Sequence, residues 1–294
     1  MVDPLVVLTI AGSDSSGGAG IEADLRTFAA LGVLGAVALT AITAQNTRGV
    51  YAVLPVEPEM VTAQVEAVVD DLVVAATKTG MLARPATVRA VARLAHERRL
   101  PHLVVDPVLV SSTGHLLMEE GGVDAYRDEL FAHAVIVTPN LRETALLVGR
   151  ELSSLRTVDD MAAAGRTLLS MGPSCVVVKG GHRVEGASTN DHAPDVVVTS
   201  GTVVTLEGDR IETRNDHGTG CSLASAIAVG LAEGLDPIAA VQRAKSFVAD
   251  ALRGAAGWHI GGGHGPIDHL GWGRDGARGE PARSSTQRGK GDRS

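Results

Sequence analysis

Leu5-Val6-Val7-Leu8-Thr9-Ile10 runs directly into Ala11-Gly12-Ser13-Asp14-Ser15-Ser16-Gly17-Gly18-Ala19-Gly20. The first six residues form a short apolar run, the mark of a strand buried on both faces. The next ten are a glycine-rich exit. A helix is predicted behind them, with Ile21, Leu25 and Phe28 turned inward and Gly32 as its stop. Strand, polar exit and helix make one unit, and the chain repeats it. Residues 33–43 read as a strand that leaves through Ala44-Gln45-Asn46-Thr47, and residues 58–72 as a helix with Pro58 in its tolerated first turn. Thr77-Lys78-Thr79-Gly80-Met81 closes another strand before a helix over 85–98. Leu103-Val104-Val105-Asp106-Pro107 ends on a carboxylate, and Val135-Ile136-Val137-Thr138-Pro139-Asn140 leads into a short helix over 141–148. Thr157 opens a further helix with a cap-like sequence, Asp160 standing where Glu or Gln is usual. Cys175-Val176-Val177-Val178-Lys179-Gly180-Gly181 is the next strand and exit.

Beyond it the pattern changes. Two β-rich runs, 196–199 and 202–206, flank Ser200-Gly201 and predict a β-hairpin. Asp236 and Pro237 supply the N-cap and first position of a last helix, running to about Leu252. The alternation implies an α/β fold, a mostly parallel sheet covered by helices on both faces. Residues 1–270 read as a single domain, and 271–294, rich in Gly, Arg and Ser, as a disordered tail. In such folds ligands bind beyond the carboxyl ends of the strands. Those ends carry Asp14, Gln45, Met81, Asp106, Asn140 and Lys179.

His217-Gly218-Thr219-Gly220-Cys221 is a tight glycine turn feeding a helix on which Leu223, Ile227 and Leu231 share a face. A helix mouth of this kind gathers unpaired N–H groups and positive potential, and glycines let an anion approach. It predicts an anion hole, most naturally for phosphate. Cys221 would sit where a thiol pKa is lowered. A plain glycine loop with an inert cysteine fits the same five residues. Gly12-x-x-x-x-Gly17 begins like a P-loop but continues Gly18-Ala19 where Lys and Ser or Thr are required, so that reading fails. Asn140 and Glu143 lie one helical turn apart. Their oxygens suit Mg²⁺, with Asp106 behind a shared water, and equally suit an ordinary helix cap. Lys179 suits a nucleotide phosphate or a plain surface. Asp24, taken alone, reads as a solvated helical carboxylate. His259, His264 and His269 recur at a spacing of five, poor for a helical zinc site.

The totals restrict the rest. Hydrophobic residues make up 45% of the 294 and charged residues 20%, which suits a soluble chain with a large core. A formal charge of −8 argues against a general nucleic-acid or anionic-membrane binder. Two cysteines give no disulfide framework and suit a reducing compartment. No run is long enough to span a membrane, and the N-terminus lacks a basic signal-peptide region; a cytoplasmic location is expected.

Six motifs stand in order: Ala11 to Leu25, Ala44-Gln45-Asn46-Thr47-Arg48-Gly49-Val50, Lys78-Thr79-Gly80-Met81-Leu82, Thr138-Pro139-Asn140-Leu141-Arg142-Glu143, Val178-Lys179-Gly180-Gly181-His182 and His217 to Cys221. Together they resemble the hydroxymethylpyrimidine/phosphomethylpyrimidine kinases of thiamine biosynthesis, from about Leu5 to Leu270. The resemblance implies a ribokinase-like, three-layer α/β/α fold and a homodimer. It implies Mg-ATP as phosphoryl donor to 4-amino-5-hydroxymethyl-2-methylpyrimidine and then to its monophosphate. Gly12, Asp24, Gln45, Met81 and Val108 would line the pyrimidine pocket. Asp106, Asn140 and Glu143 would serve Mg²⁺, and Lys179 the ATP phosphates. Gly218, Thr219, Gly220 and Cys221 would form the anion hole, with Cys221 as base. The polar stretch 182–194 departs from the family pattern. A pyridoxine or pyridoxal kinase on the same fold, and a catalytically silent pyrimidine-binding regulator, are the competing readings.

Overall fold

The computed structural model describes residues 3–110, 117–181 and 194–273. The departing stretch 182–194, apart from its last residue, and the predicted tail beyond residue 273 lie outside the described residues. In chain order the strands are β1 (Val6–Ala11), β2 (Leu34–Leu39), β3 (Ala41–Asn46), β4 (Gly49–Pro55), β5 (Val74–Thr79), β6 (Val104–Val105), β7 (Ile136–Val137), β8 (Cys175–Val178), β9 (Asp195–Thr199) and β10 (Val203–Leu206). The helices are α1 (Gly20–Ala30), α2 (Pro58–Val69), α3 (Pro85–His96), α4 (Gly122–Ala125), α5 (Leu141–Val148), α6 (Val158–Leu169), α7 (Thr219–Ala232) and α8 (Pro237–Ala255).

The main sheet has the order β10-β9-β8-β7-β6-β5-β1-β2. It is parallel from β8 to β2, while β9 and β10 form the antiparallel hairpin expected at Ser200-Gly201. Side chains alternate across it as strand geometry requires. Leu8, Ile10, Val176 and Val178 face a core shared with α2, α3, α5 and α6. Val7, Cys175 and Val177 face a second core shared with α1, α7 and α8. These are the three layers. Local caps agree with the sequence. Thr157 and Asp160 close a capping box on α6, and Asp236 accepts from Ile238 and Ala239 at the start of α8.

Two elements differ from the sequence reading. The run 33–43 is two strands. β2 ends at Leu39, and Thr40 turns the chain out of the main sheet, its amide donating to Ala11 O at 3.0 Å and its hydroxyl to Met81 O at 2.5 Å. β3 then pairs with β4 in a separate two-stranded sheet. Apolar content alone does not reveal that the second half is covered on one side only. Nor is α7 a one-faced helix. Ser222 to Leu231 are all buried, because α7 lies against both α1 and α8 as well as the sheet.

Candidate active site

The chain leaves β1 toward β2 on one side and later returns to pair β5 on the other, so the sheet changes direction at β1. An open cleft of about 1750 Å³ lies there, along the carboxyl ends of the strands. Twelve of the thirteen sequence-selected side chains and glycines line it: Gly12, Gln45, Met81, Asp106, Val108, Asn140, Glu143, Lys179, Gly218, Thr219, Gly220 and Cys221. Asp24 does not.

At one end stands the mouth of α7. Gly218 is its N-cap, with φ of 87°, and a Cβ there would also collide with Gly18 O; only glycine fits. Thr219 N–H donates to Asp216 O at 3.3 Å and Ser222 N–H to Gly218 O at 2.9 Å. The amides of Gly218, Gly220 and Cys221 have no acceptor among the described residues. A Cβ on Gly220 would lie 3.3 Å from Lys179 Nζ and 3.8 Å from Asp106 Oδ2, so the glycine keeps a cation beside those amides. The Cys221 thiol is half-buried, with the Gly20 amide near it. Burial pushes it up to about 11; Lys78 pulls the other way, and Asp24 and Asp106 add to the rise. The lowered thiol expected at a helix mouth is therefore overturned. Surrounding protein and two carboxylates outweigh the dipole and the lysine.

The charged cluster lies next to those amides. Lys179 Nζ donates to Asp106 Oδ1 at 2.8 Å, and Thr138 donates to the same oxygen at 3.1 Å. A parallel bridge between Asn140 and Lys179 prolongs β7 and β8, bringing two strand exits side by side. Asn140 and Glu143 form a reciprocal capping box on α5, at 2.9 and 2.8 Å. The ordinary cap and the site residue are thus the same pair. Burial pushes Glu143 up to about 7, opposed by Lys179 and supported by Asp106. Burial works against the Lys179 charge, but Asp106 and Glu143 prevail and hold its pKa above the usual lysine value. Among the described residues no three His, Cys, Asp or Glu side chains gather as an all-protein metal cage. Two crowded carboxylates and an amide suit a hard cation that also leans on water and phosphate oxygens.

The rest of the cleft presents a flatter wall. Met81 is buried against Gly12 and packs with Ala41, Val53 and Val108. Gln45 reaches it from β3, its amide nitrogen 3.1 Å from His217 Nε2. The same ring nitrogen lies 2.7 Å from Asp14 Oδ2. Burial raises the Asp14 pKa, but hydrogen bonds from His217, Ser16 and the Ala19 and Ser16 amides outweigh it and hold the carboxyl well below the usual range. The glycine-rich loop after β1 therefore spends its amides on its own carboxylate, with Gly18 and Ala19 donating at 3.1 and 2.8 Å. This is the physical reason that it is no P-loop.

Asp24 is fully buried behind the cleft. It accepts two bonds from Lys78 Nζ at 2.8 and 2.9 Å, one from Thr9 at 2.6 Å and one from Ser225 at 2.7 Å. It is neither solvated nor a wall of the ring pocket; the sequence assignment is corrected to a buried counter-ion. Lys78 itself lines the cleft. Burial opposes its charge, yet Asp24 and its other acidic neighbours raise its pKa above the ordinary value. From the sequence, Asp14 stands only as a strand-exit residue and His217 only as the start of the glycine turn, and Lys78 has no role. A lysine inside an otherwise buried strand was the available signal, since such a charge requires a partner. The three spaced histidines do not converge: His264 meets Asp216, and His269 meets Ser222.

The sequence profile of phosphomethylpyrimidine kinases matches residues 14–268. A hydroxymethylpyrimidine/phosphomethylpyrimidine kinase of Rhizobium meliloti (strain 1021) is 48% identical over 265 residues, spanning 90% of this chain and 97% of that protein. The crystal structure of a phosphomethylpyrimidine kinase from Clostridium difficile 630 matches with a TM-score of 0.73 at 37% identity, covering 84% of this chain and 99% of that one. The pyridoxal kinase of Staphylococcus aureus in complex with AMP-PCP and pyridoxal matches with a TM-score of 0.81 at 33% identity, covering 93% and 96%.

Proposed function

Because the chain belongs to the phosphomethylpyrimidine kinase family, we propose that it phosphorylates 4-amino-5-hydroxymethyl-2-methylpyrimidine with ATP and then converts the monophosphate to the diphosphate, within thiamine biosynthesis. One observation carries the reading. Unpaired amides at the mouth of α7, with Lys179 beside them, open on the same cleft as Gln45 and Met81.

Phosphoryl transfer needs positioning and charge neutralisation more than covalent help. In this reading Met81 and Val108 hold the flat ring, and the Gln45 amide meets its polar edge. The amides of Gly218, Gly220 and Cys221 receive the transferring phosphoryl oxygens; one donor of this kind is worth about 3–4 kcal/mol of barrier. Lys179 neutralises the phosphates of ATP. Asp106, Asn140 and Glu143 would hold Mg²⁺, which supplies further neutralisation of phosphate charge. Cys221, as its thiolate, takes the hydroxymethyl proton in the first step. The second acceptor is a phosphate monoester, already mostly ionised at neutral pH because its second pKa is about 6, so a base matters little there.

We assign the protein to the cytoplasm, where its two free cysteines stay reduced, and to a homodimer formed through the β3–β4 sheet. No described helix is long and apolar enough to cross a membrane.

Product analysis with hydroxymethylpyrimidine and Mg-ATP tests the proposal; both mono- and diphosphate are expected. The similarity to pyridoxal kinases favours one competing reading, and a much higher kcat/KM for pyridoxal than for hydroxymethylpyrimidine would reverse the choice.

A further inference from the structure

The segment that follows α8 has no part in the chemistry above, yet it touches both walls of the cleft. On one side it grips the turn between β3 and β4, two residues beyond Gln45. His264 N–H donates to Thr47 O at 2.7 Å and Gly263 N–H to Thr47 Oγ1 at 3.2 Å. A Cβ at Gly261 or Gly263 would collide with Thr47, and one at Gly262 would come within 2.5 Å of the Arg48 guanidinium. The glycine run is what lets the segment lie this close.

On the other side the same residues hold the approach to the anion hole. Gly265 N–H donates to Arg214 O, and His217 N–H donates to Gly265 O, both at 3.0 Å. The His264 ring lies 2.7 Å from Asp216 Oδ1. Farther on, His269 Nε2 lies 2.7 Å from Ser222 Oγ, whose hydroxyl donates to Gly218 O at 2.8 Å. The anchor is firm: Asn215 Nδ2 donates to Ala255 O and Trp258 O at the end of α8, at 2.7 and 2.9 Å.

Gln45 and Gly218 belong to elements far apart in sequence, and β3–β4 is a two-stranded sheet outside the main one. Two strands alone are marginally stable; Ser13 and Ser15 hold β3 near Thr43 and Gln45, and the segment after α8 holds the turn beyond them. We propose that residues 261–269 form a positioning strap, which fixes the Gln45 sheet against the anion hole and so sets the fit of the acceptor ring without touching the nucleotide. The inference rests on the acceptor assignment made above. A displacement of about 1 Å at reacting groups costs up to about a hundredfold in rate, so the strap has leverage.

The test uses the full chain. Gly263→Ala drives a methyl into Thr47, Thr47→Val removes one bond with little change of shape, and Gly257→Ala, in open space, is the control. Expected for the first two is a KM for hydroxymethylpyrimidine raised on the order of tenfold or more, with the KM for ATP unchanged; Gly257→Ala leaves both alone. A merely structural role predicts less active enzyme with both KM values intact, and that result overturns the proposal. Hydrogen exchange reads the coupling independently of turnover. Gly263→Ala is expected to speed exchange at amides 43–50 and 217–222, with β1 and α3 unaffected. Unchanged exchange at 43–50 removes the strap even in an active enzyme. A wild-type chain that fails to phosphorylate the pyrimidine removes the acceptor assignment, while the exchange result still decides the strap.

Discussion

Cys221 has the right place for a base and the wrong charge state for one at rest. With burial pushing its thiol up to about 11, about one molecule in ten thousand carries a thiolate at pH 7. A raised acid pKa means that the ionised form gains population as pH rises. The first phosphorylation should therefore accelerate about tenfold per pH unit above neutrality until the thiol titrates. The second, whose acceptor is already ionised, should stay nearly flat. Cys221→Ala should abolish that slope and damage the first step far more than the second; stopped-flow product analysis across pH 6–10 measures both. Equal losses would remove the base assignment. The position of this residue was legible, since a glycine turn followed by a helix is a local pattern. Its proton affinity was not, because burial and the carboxylates of Asp24 and Asp106 come from elements distant in sequence.

At the scale of elements, the Asp24–Lys78 pair joins α1 to β5, and Ser225 ties both to α7. Gly20 and Asp24 are one turn apart on α1, as are Cys221 and Ser225 on α7. The Gly20–Cys221 and Asp24–Ser225 contacts are two rungs between the helix starts. Breaking a fully buried pair from one side leaves an uncompensated charge, at a cost of about 3–5 kcal/mol. Asp24→Asn should lose stability of that order in urea unfolding. Asp24→Leu combined with Lys78→Met should lose less than either single change, since apolar replacements leave no orphan charge. A ring-pocket role for Asp24 predicts the opposite pattern, a raised pyrimidine KM with stability intact. Strands and helices were legible here because period and caps are local; α5 spans the eight residues read from sequence, Leu141–Val148. The partner of Asp24 was not, because strand alternation places Lys78 on a face without saying which helix covers it.

For the molecule as a whole, the β3–β4 sheet raises a question of burial. One face, with Ala41 and Val53, packs toward Met81 and closes the ring wall. The other is bare: Ile42 and Leu54, directly paired across the strands, are 51% and 66% exposed, and nearby Tyr51 is 68% exposed. Apolar residues directly opposed on a marginal ribbon gain little in water and much against a second apolar face. A symmetric dimer buries the same patch on both copies with one self-complementary surface. The sheet that carries Gln45 would then be braced by the strap on one side and by a second copy on the other. Ile42→Lys with Leu54→Glu should convert the dimer to monomer in sedimentation velocity and raise the pyrimidine KM, leaving the ATP KM in place. A wild-type chain that sediments as a monomer at micromolar concentration, or a charged double variant that remains dimeric, would place the contact elsewhere and leave the strap as the support of the Gln45 wall.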